Sequence, residues 1–246
     1  MDLVTVIMPY FKKSKTVKKS IDSVLSQTYK NFELIIVYDD EDRGDLYYLK
    51  NIIENSKKIS ILINKSNLGA GVSRNIGIKK SNGKYIAFLD ADDVWNKKKL
   101  ERQINFMKLN KIIISHTSYK IFDLNGNLLG KRKARTFKTI NSLIKSCDIG
   151  LSTVVIKKTI FDQKFKFPKL KTKEDFVLWL KLLENNYPII ALDEYLTDWK
   201  KVKNSLSSSV IQKLSDGYKV YNTYMKFSLI KSLYFLFCLS LNSFRK

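Results

Sequence analysis

Tyr85-Ile86-Ala87-Phe88-Leu89-Asp90-Ala91-Asp92-Asp93 decides how this chain is read. Five apolar residues in succession predict a strand buried on both faces, and three carboxylates then fall within four positions. A sheet interior does not tolerate unpaired charge, so the strand ends there and the acids lie at its carboxyl edge. That edge is where open α/β sheets bind ligands. Clustered Asp oxygens are hard ligands suited to Mg²⁺ or Mn²⁺. Such an ion could in turn grip a diphosphate. The competing reading is local: Asp90 or Asp92 caps a helix that begins near Trp95.

Upstream, the pattern repeats. Leu3 to Met8 is β-rich, stops at Pro9 and reads as the first, central strand. Lys15 to Gln27 carries Val17, Ile21, Val24 and Leu25 at helical spacing, with Ser14 or Thr16 as the expected cap. Phe32 to Val37 is a second apolar strand that also ends in acids, Asp39-Asp40-Glu41-Asp42. Strand, helix and strand make a βαβ unit with a right-handed crossover. A helix over Leu46–Asn55, a strand over Ile59–Ile63, a turn-rich loop from Asn64 to Gly71 and a helix over Val72–Lys80 lead back to the Tyr85 strand. Parallel strands joined by helices put their polar ends on one side of the sheet, so both acid clusters are expected to share a crevice.

Downstream the pattern is weaker. Lys97–Leu109 reads as a helix, Ile112–Phe122 as strand-like, Asp123–Asn127 as a hairpin turn and Lys131–Lys138 as a basic stretch. Asn141–Ser146 is expected to be helical and Gly150–Ile156 a strand. Glu174-Asp175 opens an apolar helix through Leu183. Two acids in a first turn suit the helix dipole, and equally suit a general base at a pocket rim. Asp198 to Ser209 reads as a loop. Leu214–Tyr224 is amphipathic. Leu229–Phe244 is strongly apolar, with its longest uncharged run between Ser232 and Phe244. That run is too short to span a bilayer but suits an interfacial helix with basic flanks. Packing onto the domain or onto a second copy is the alternative.

Composition bounds the function. The 246 residues hold 44 % hydrophobic and 12 % aromatic residues, enough for one large folded domain and a tail rather than a disordered chain. Lys and Arg number 45 against 23 acids, a net charge of +22, which implies anionic partners. Cys147 and Cys238 lie far apart without metal-ligand spacing, which fits a reducing, cytoplasmic compartment. The single His116 reads as a core or surface residue. Asp2 and the short Leu3–Met8 run read as a strand, not a leader, and no apolar run reaches the roughly 18 residues of a membrane-spanning helix.

The quoted residues also carry a resemblance. Val4-Thr5-Val6-Ile7-Met8-Pro9-Tyr10, Ser20 to Tyr29, and Phe32 to Val37 leading to Asp39-Asp40 resemble the start of a family 2 glycosyltransferase. Asn67-Leu68-Gly69 with Arg74-Asn75-Ile76-Gly77 continues the match. Ala87 to Asp93 resembles that family's DXD motif, and Lys173-Glu174-Asp175 with Leu178-Trp179-Leu180 resembles its ED motif. The match runs in order over roughly residues 3 to 205.

The resemblance implies a GT-A fold, a single α/β domain with one Rossmann-like mixed sheet, helices on both faces and a helical C-terminal tail. The domain would span 1–210, its nucleotide-binding half about 1–95 and its acceptor half about 96–210, with 211–246 as a tail able to touch a membrane. It implies inverting, cation-assisted transfer from a nucleotide-diphospho-sugar, UDP-linked by expectation, to a saccharide or lipid-linked acceptor in cell-surface glycan synthesis. Pro9 and Tyr10 would border the nucleotide. Asp39, or Asp40 one residue on, would accept a hydrogen bond from the base. Arg74 would lie near the nucleotide crevice. Asp90 would face the ribose or the metal-linked phosphate, Asp92 would bind the metal, and Asp175 would deprotonate the acceptor hydroxyl. A base must be ionised to act, so Asp175 needs no raised pKa. Two departures stand out: Tyr10 follows Pro9 directly, and Tyr38-Asp39-Asp40-Glu41-Asp42 replaces the usual Asp-Asp-Gly-Ser.

Two other readings compete. A nucleotidyltransferase would need a glycine-rich phosphate loop after the first strand, and Pro9-Tyr10-Phe11-Lys12-Lys13 has no glycine. A nucleic-acid-binding protein would account for the positive charge but leaves the acid clusters unexplained.

Overall fold

The computed structural model describes residues 1–54, 56–163, 165–201 and 209–244. Its first part alternates strand and helix: β1 (Val4–Tyr10), α1 (Ser14–Leu25), β2 (Phe32–Tyr38), α2 (Gly44–Ile53), β3 (Ile59–Ile63), α3 (Ala70–Lys80) and β4 (Tyr85–Phe88). These four strands are parallel in the order β3-β2-β1-β4. The second part holds β5 (Val94–Trp95), α4 (Lys99–Leu109), β6 (Ile114–Phe122), β7 (Leu128–Arg132), α5 (Ile140–Leu143) and a 3-10 turn at Leu151–Thr153. It continues with β8 (Val155–Lys157), α6 (Thr159–Asp162), α7 (Glu174–Glu184), β9 (Ile190–Lys200), α8 (Val210–Lys219), a π turn at Val220–Tyr224 and α9 (Leu229–Phe244). The sheet runs on from β4 through β8, β6 and β9 to β5, with β7 beside β6. The β4–β8, β8–β6 and β9–β5 pairs are antiparallel, and β6–β9 is parallel. The mixed sheet is that of a GT-A fold.

β1 is the axis of this arrangement. Its side chains alternate between two cores, as the pleat requires. Val4, Val6, Met8 and Tyr10 join Val17, Ile21 and Val24 of α1 and Leu100, Ile104 and Met107 of α4. Ile7 faces the other way, with Ile86 and Phe88 of β4 and the apolar face of α7 around Trp179. Each fully buried aliphatic side chain contributes about 1.5–3 kcal/mol, so the register is strongly fixed. Tyr10 pairs with Tyr38, and Ile7 with Phe88. Residues 10–13, 39–40 and 89–93 therefore emerge at one edge.

Several local expectations need correction. No helix starts near Trp95. Val94-Trp95 instead pairs with Thr197-Asp198 of β9, and α4 begins at Lys99. α1 has no side-chain cap: Lys13 holds the cap position, and Thr16 donates its hydroxyl proton across to the carbonyl of Ala91 at 2.9 Å. The stretch read as a strand from Gly150 opens as a 3-10 turn, with only Val155–Lys157 in the sheet. Asp198 to Lys200 belongs to β9 rather than to a loop, and 202–208 lie outside the described residues. Among the described residues no helix is long and apolar enough to cross a membrane.

α3 lies close against β1 because Gly77 carries no side chain. A Cβ there would come within 2.8 Å of Ile7 Cγ2 and 3.3 Å of Val37 Cγ2. Alanine would gain about 1 kcal/mol of helix propensity but forces this packed interface apart, at a cost of about 1–3 kcal/mol. Gly77→Ala is therefore expected to lower the melting temperature, measured by circular dichroism, despite its better helix propensity.

Candidate active site

A buried guanidinium joins the elements of the site. Arg74 projects from α3, 3 % exposed as a residue. Its Nη2 meets Asp90 Oδ1 at 2.7 Å, and its Nη1 meets Glu174 Oε1 at 2.6 Å. Its Cζ lies 5.5 Å from the centroid of the Phe167 ring. Burial opposes the charge on Arg74, but Asp90 and Glu174 outweigh it and hold the guanidinium firmly protonated. The clamp draws the acids after β4 and those opening α7 towards one helix.

Asp175 stands at the second residue of α7. The preceding Lys173 is left-handed, at φ 64°, and this turn presents both acids. A non-glycine residue in that region carries a small strain. The N–H of Phe176 donates to Asp175 Oδ1 at 2.7 Å. Burial and the adjacent negative Glu174, only partly offset by Arg74, push the Asp175 carboxyl up to about 7. A base needs no raised pKa, but the fold gives Asp175 one, so it exchanges its proton near neutrality.

The three acids after β4 divide. Asp93 is buried and internally satisfied: it accepts from Ser152 Oγ at 2.5 Å and from the N–H of Lys200 at 2.9 Å. Burial, then the charges of Asp92 and Asp90, raise its pKa well above the carboxylate range. It ties β9 and the 3-10 turn to the motif. Asp90 keeps 34 % of its side chain exposed, and its Oδ1 is held by Arg74. Asp92 is paired with Lys13 Nζ at 2.6 Å. Its pKa is raised by burial and then by the charge of Asp90.

These residues limit how a divalent ion could be held. Among the described residues, no group of three or more His, Cys, Asp or Glu is placed to hold a metal. Asp93 is already engaged, which leaves Asp90 and Asp92. Two carboxylates fit an ion that completes its shell with phosphate oxygens and water, the usual Mg²⁺ arrangement, and not an all-protein cage.

The first acid cluster is tied to the same helix. Asp39 is buried. Its Oδ1 accepts from Asn64 Nδ2 at 2.7 Å and from the N–H of Leu68 at 2.8 Å, and its Oδ2 accepts from the N–H of Gly69 at 2.8 Å. Gly69 sits at φ 87°, a conformation that favours glycine. Asn64 also donates to Ser73 Oγ at 3.0 Å, beside Arg74. Asp39 therefore fixes the 64–69 loop as well as facing the edge. Asp40 is buried and accepts from the N–H of Asp42 at 3.2 Å. Tyr10 stacks on Tyr38 at 5.3 Å and donates to Asp45 Oδ2 at 2.6 Å. Pro9 is half-buried opposite Val37, beyond the last β1–β4 pair.

Asp39 is bonded through Asn64 to Ser73, and Asp90 and Glu174 are bonded to Arg74, so two sets of contacts meet on consecutive residues of α3; Asp175 follows Glu174 in the chain, and Asp92 is held by Lys13. The sequence reading gave no role to Glu174 as partner of Arg74, nor to Lys13, Asn64 or Ser152. Glu174 stood inside the quoted ED motif, and Asn64 only at the start of a turn-rich loop. Lys13 and Ser152 carried no signal, because their partners lie 79 and 59 residues away. His116 is buried, donates from Nε2 to the carbonyl of Arg135 at 2.8 Å, and is held neutral by burial with a pKa lowered to about 4, so it is a core residue.

The family model described as Glycosyl transferase family 2 matches residues 5–163. The UDP-Glc:alpha-D-GlcNAc-diphosphoundecaprenol beta-1,3-glucosyltransferase WfgD of Escherichia coli is 36 % identical over 95 % of this chain and 91 % of its own. A second Escherichia coli protein named for the same activity, WfaP, is 36 % identical over 74 % of this chain and 71 % of its own. Among solved structures, S. aureus TarS 1-349 in complex with UDP-GlcNAc superposes with a TM-score of 0.76 at 21 % identity, over 96 % of this chain and 70 % of that one. This likeness bears on the fold alone. The extent of the family match and of the full-length relative means that this chain belongs to glycosyltransferase family 2 and is a glycosyltransferase.

Proposed function

We propose that this enzyme moves a hexose, with inversion, from a UDP-linked donor to a lipid-linked saccharide acceptor in cell-surface glycan assembly. The observation that carries the reading is Asp175, a carboxylate with a pKa of about 7 that directly follows Glu174, which Arg74 ties to Asp90. The relatives support the substrate class: each is named for UDP-Glc and a GlcNAc-diphosphoundecaprenol acceptor. A β-linked product from an α-glucosyl nucleotide requires inversion, and inversion in one displacement needs a base opposite the leaving group.

In this reading Asp175 takes the acceptor hydroxyl proton as the new bond forms, a contribution of about 10²–10⁴-fold. Arg74 orients Asp90 and keeps Glu174 from competing for that proton. Asp90 and Asp92 hold a divalent cation, which when bound supplies charge neutralisation for the departing diphosphate. Pro9 and Tyr10 border the nucleotide, and Asp39 or Asp40 accepts from its base. Asp39 has one free acceptor position on Oδ2 for this, since three of its hydrogen bonds go to the 64–69 loop. The nucleotidyltransferase and nucleic-acid readings explain neither the basic carboxylate nor its link to the DXD acids.

Four outcomes are expected. A raised pKa on a required base places activity on the alkaline side: kcat/KM should rise with pH through about 7 and level off above it. Asp175→Asn should retain the thermal shift given by UDP-glucose with Mn²⁺ while losing transfer by about 10²–10⁴-fold. Loss of the shift as well would make Asp175 a structural residue. The same group favours its protonated form in the fold, so its contribution to stability is complete below its ordinary value of 3.8 and is lost as pH rises through about 7. Asp175→Asn should therefore melt higher than the native protein at pH 8, with the gap closing towards pH 5. Finally, Asp92→Ala should remove metal-dependent turnover in a protein that remains folded, and undiminished turnover would take Asp92 out of the metal role.

A further inference from the structure

Helix α9 buries one side and leaves the other bare. Ser232, Phe235 and Leu239 turn inward. The Phe235 ring stacks on Tyr221 at 5.6 Å and meets Phe227 at 5.6 Å. On the other side Ile230, Leu233, Tyr234, Phe237 and Leu241 are between 42 and 82 % exposed. They recur every three or four residues, so they form one row along the helix. An ordinary surface helix carries polar side chains there, and a contiguous apolar row of this size marks a contact surface.

The chain segment that carries this row is cationic. From Gly217 to Lys246 the sequence holds five cations, Lys219, Lys226, Lys231, Arg245 and Lys246, and no Asp or Glu. Lys145 adds another, its Nζ 5.6 Å from the centroid of the Tyr234 ring. A cleft of about 370 Å³ opens beside the first turn of α9, with Leu183, Phe227 and Phe235 among its apolar lining and Lys138, Lys231 and Glu184 among its polar lining.

We propose that the outer side of α9 docks this enzyme on a bilayer that contains anionic phospholipid, with the helix lying in the plane of the headgroups. The apolar row would enter the boundary between headgroups and acyl chains. Tyr and other aromatic side chains settle at that depth, and the cations meet lipid phosphates. The 16 residues of α9 are too few to cross. A second copy of the chain is the poorer occupant, because it would bring one cationic tail against another.

The docking element also reaches the site. Asp216 of α8 is buried and accepts from the N–H and the hydroxyl of Thr172, both at 3.0 Å, three residues before Asp175. Leu236 of α9 packs over Gly217, the next residue. The turn that presents Asp175 is thereby anchored to the helices that would lie on the membrane. The inference deepens the reading above, and rests on it only for the purpose of docking, which is access to a lipid-linked acceptor. Vesicle binding itself needs neither donor nor acceptor.

The test is co-sedimentation of the full chain with phosphatidylcholine vesicles, with and without phosphatidylglycerol. Binding is expected to the mixed vesicles, to be weak on phosphatidylcholine alone, and to weaken with salt. The pair Ile230→Asp with Phe237→Asp should lower partitioning about tenfold or more, and Lys226→Glu with Lys231→Glu should do the same. Each variant should keep the native melting temperature and the native thermal shift with UDP. Should the Asp pair melt early, Ile230→Ser with Phe237→Ser probes the same face without added charge. Equal binding by the variants, equal binding to both vesicle types, or a dimer that the Asp pair dissolves would overturn the proposal. Vesicle binding by a protein that UDP does not stabilise would sink the UDP-donor reading and leave the docking intact, while the reverse result would do the opposite.

Discussion

The structure depends on one ion-pair relay, Asp90–Arg74–Glu174. A guanidinium this deeply buried is tolerable only with partners, because an unpaired charge in the interior is strongly destabilising. Its two carboxylates come from chain segments 16 and 100 residues away. Meeting the demand for partners therefore forces the acids after β4 and the acids opening α7 to adjoin the same helix. Removing either carboxylate would leave a buried cation half satisfied, so the relay ties the geometry of the site to the stability of the fold.

The relay also sorts carboxylates that the chain spells alike. Asp90 is held with one oxygen turned away from Arg74. Glu174 is consumed as a partner, and burial together with its charge raises the neighbouring Asp175 to about 7. Asp93 is spent inside the fold on Ser152 and on the backbone of Lys200. Adjacent acids thus acquire different chemistry from burial and neighbours alone, which is how one site can hold a cation at one carboxylate and a proton at another. Lys13 on Asp92 has the same logic. A buried acid beside another acid needs a positive neighbour, and the chain places an ammonium there.

Much of this was legible in the sequence where the signal was local. The alternating strands and helices up to β4 and the acids at their ends follow from apolar runs that stop at charge. The motif resemblance pointed to family 2, and the family match and relatives bear that out. The edges failed for a different reason. Trp95 forms a strand because Thr197 and Asp198 lie beside it, and no window around Trp95 contains them. Thr16 spends its hydroxyl on Ala91 rather than on a cap. Gly150 to Ile156 is only partly strand because the turn places Ser152 against Asp93. The proton affinity of Asp175 was not readable either, since it arises from burial and from Glu174, which composition cannot rank.

The C-terminal helix presents a mixed case. Its sequence is strongly apolar throughout, and the structure divides those side chains between the core and open surface, so packing onto the domain describes only half of it. The central proposal concerns the acids: Asp90, held by Arg74, and Asp92, held by Lys13, form one donor site with Asp175 at its rim. Crystals soaked with UDP and Mn²⁺ and measured at the manganese absorption edge test it most directly. The account predicts an anomalous peak about 2.0–2.6 Å from an oxygen of Asp90 or Asp92, with the diphosphate on its far side. A manganese peak elsewhere, or a nucleotide bound away from these acids, would contradict it.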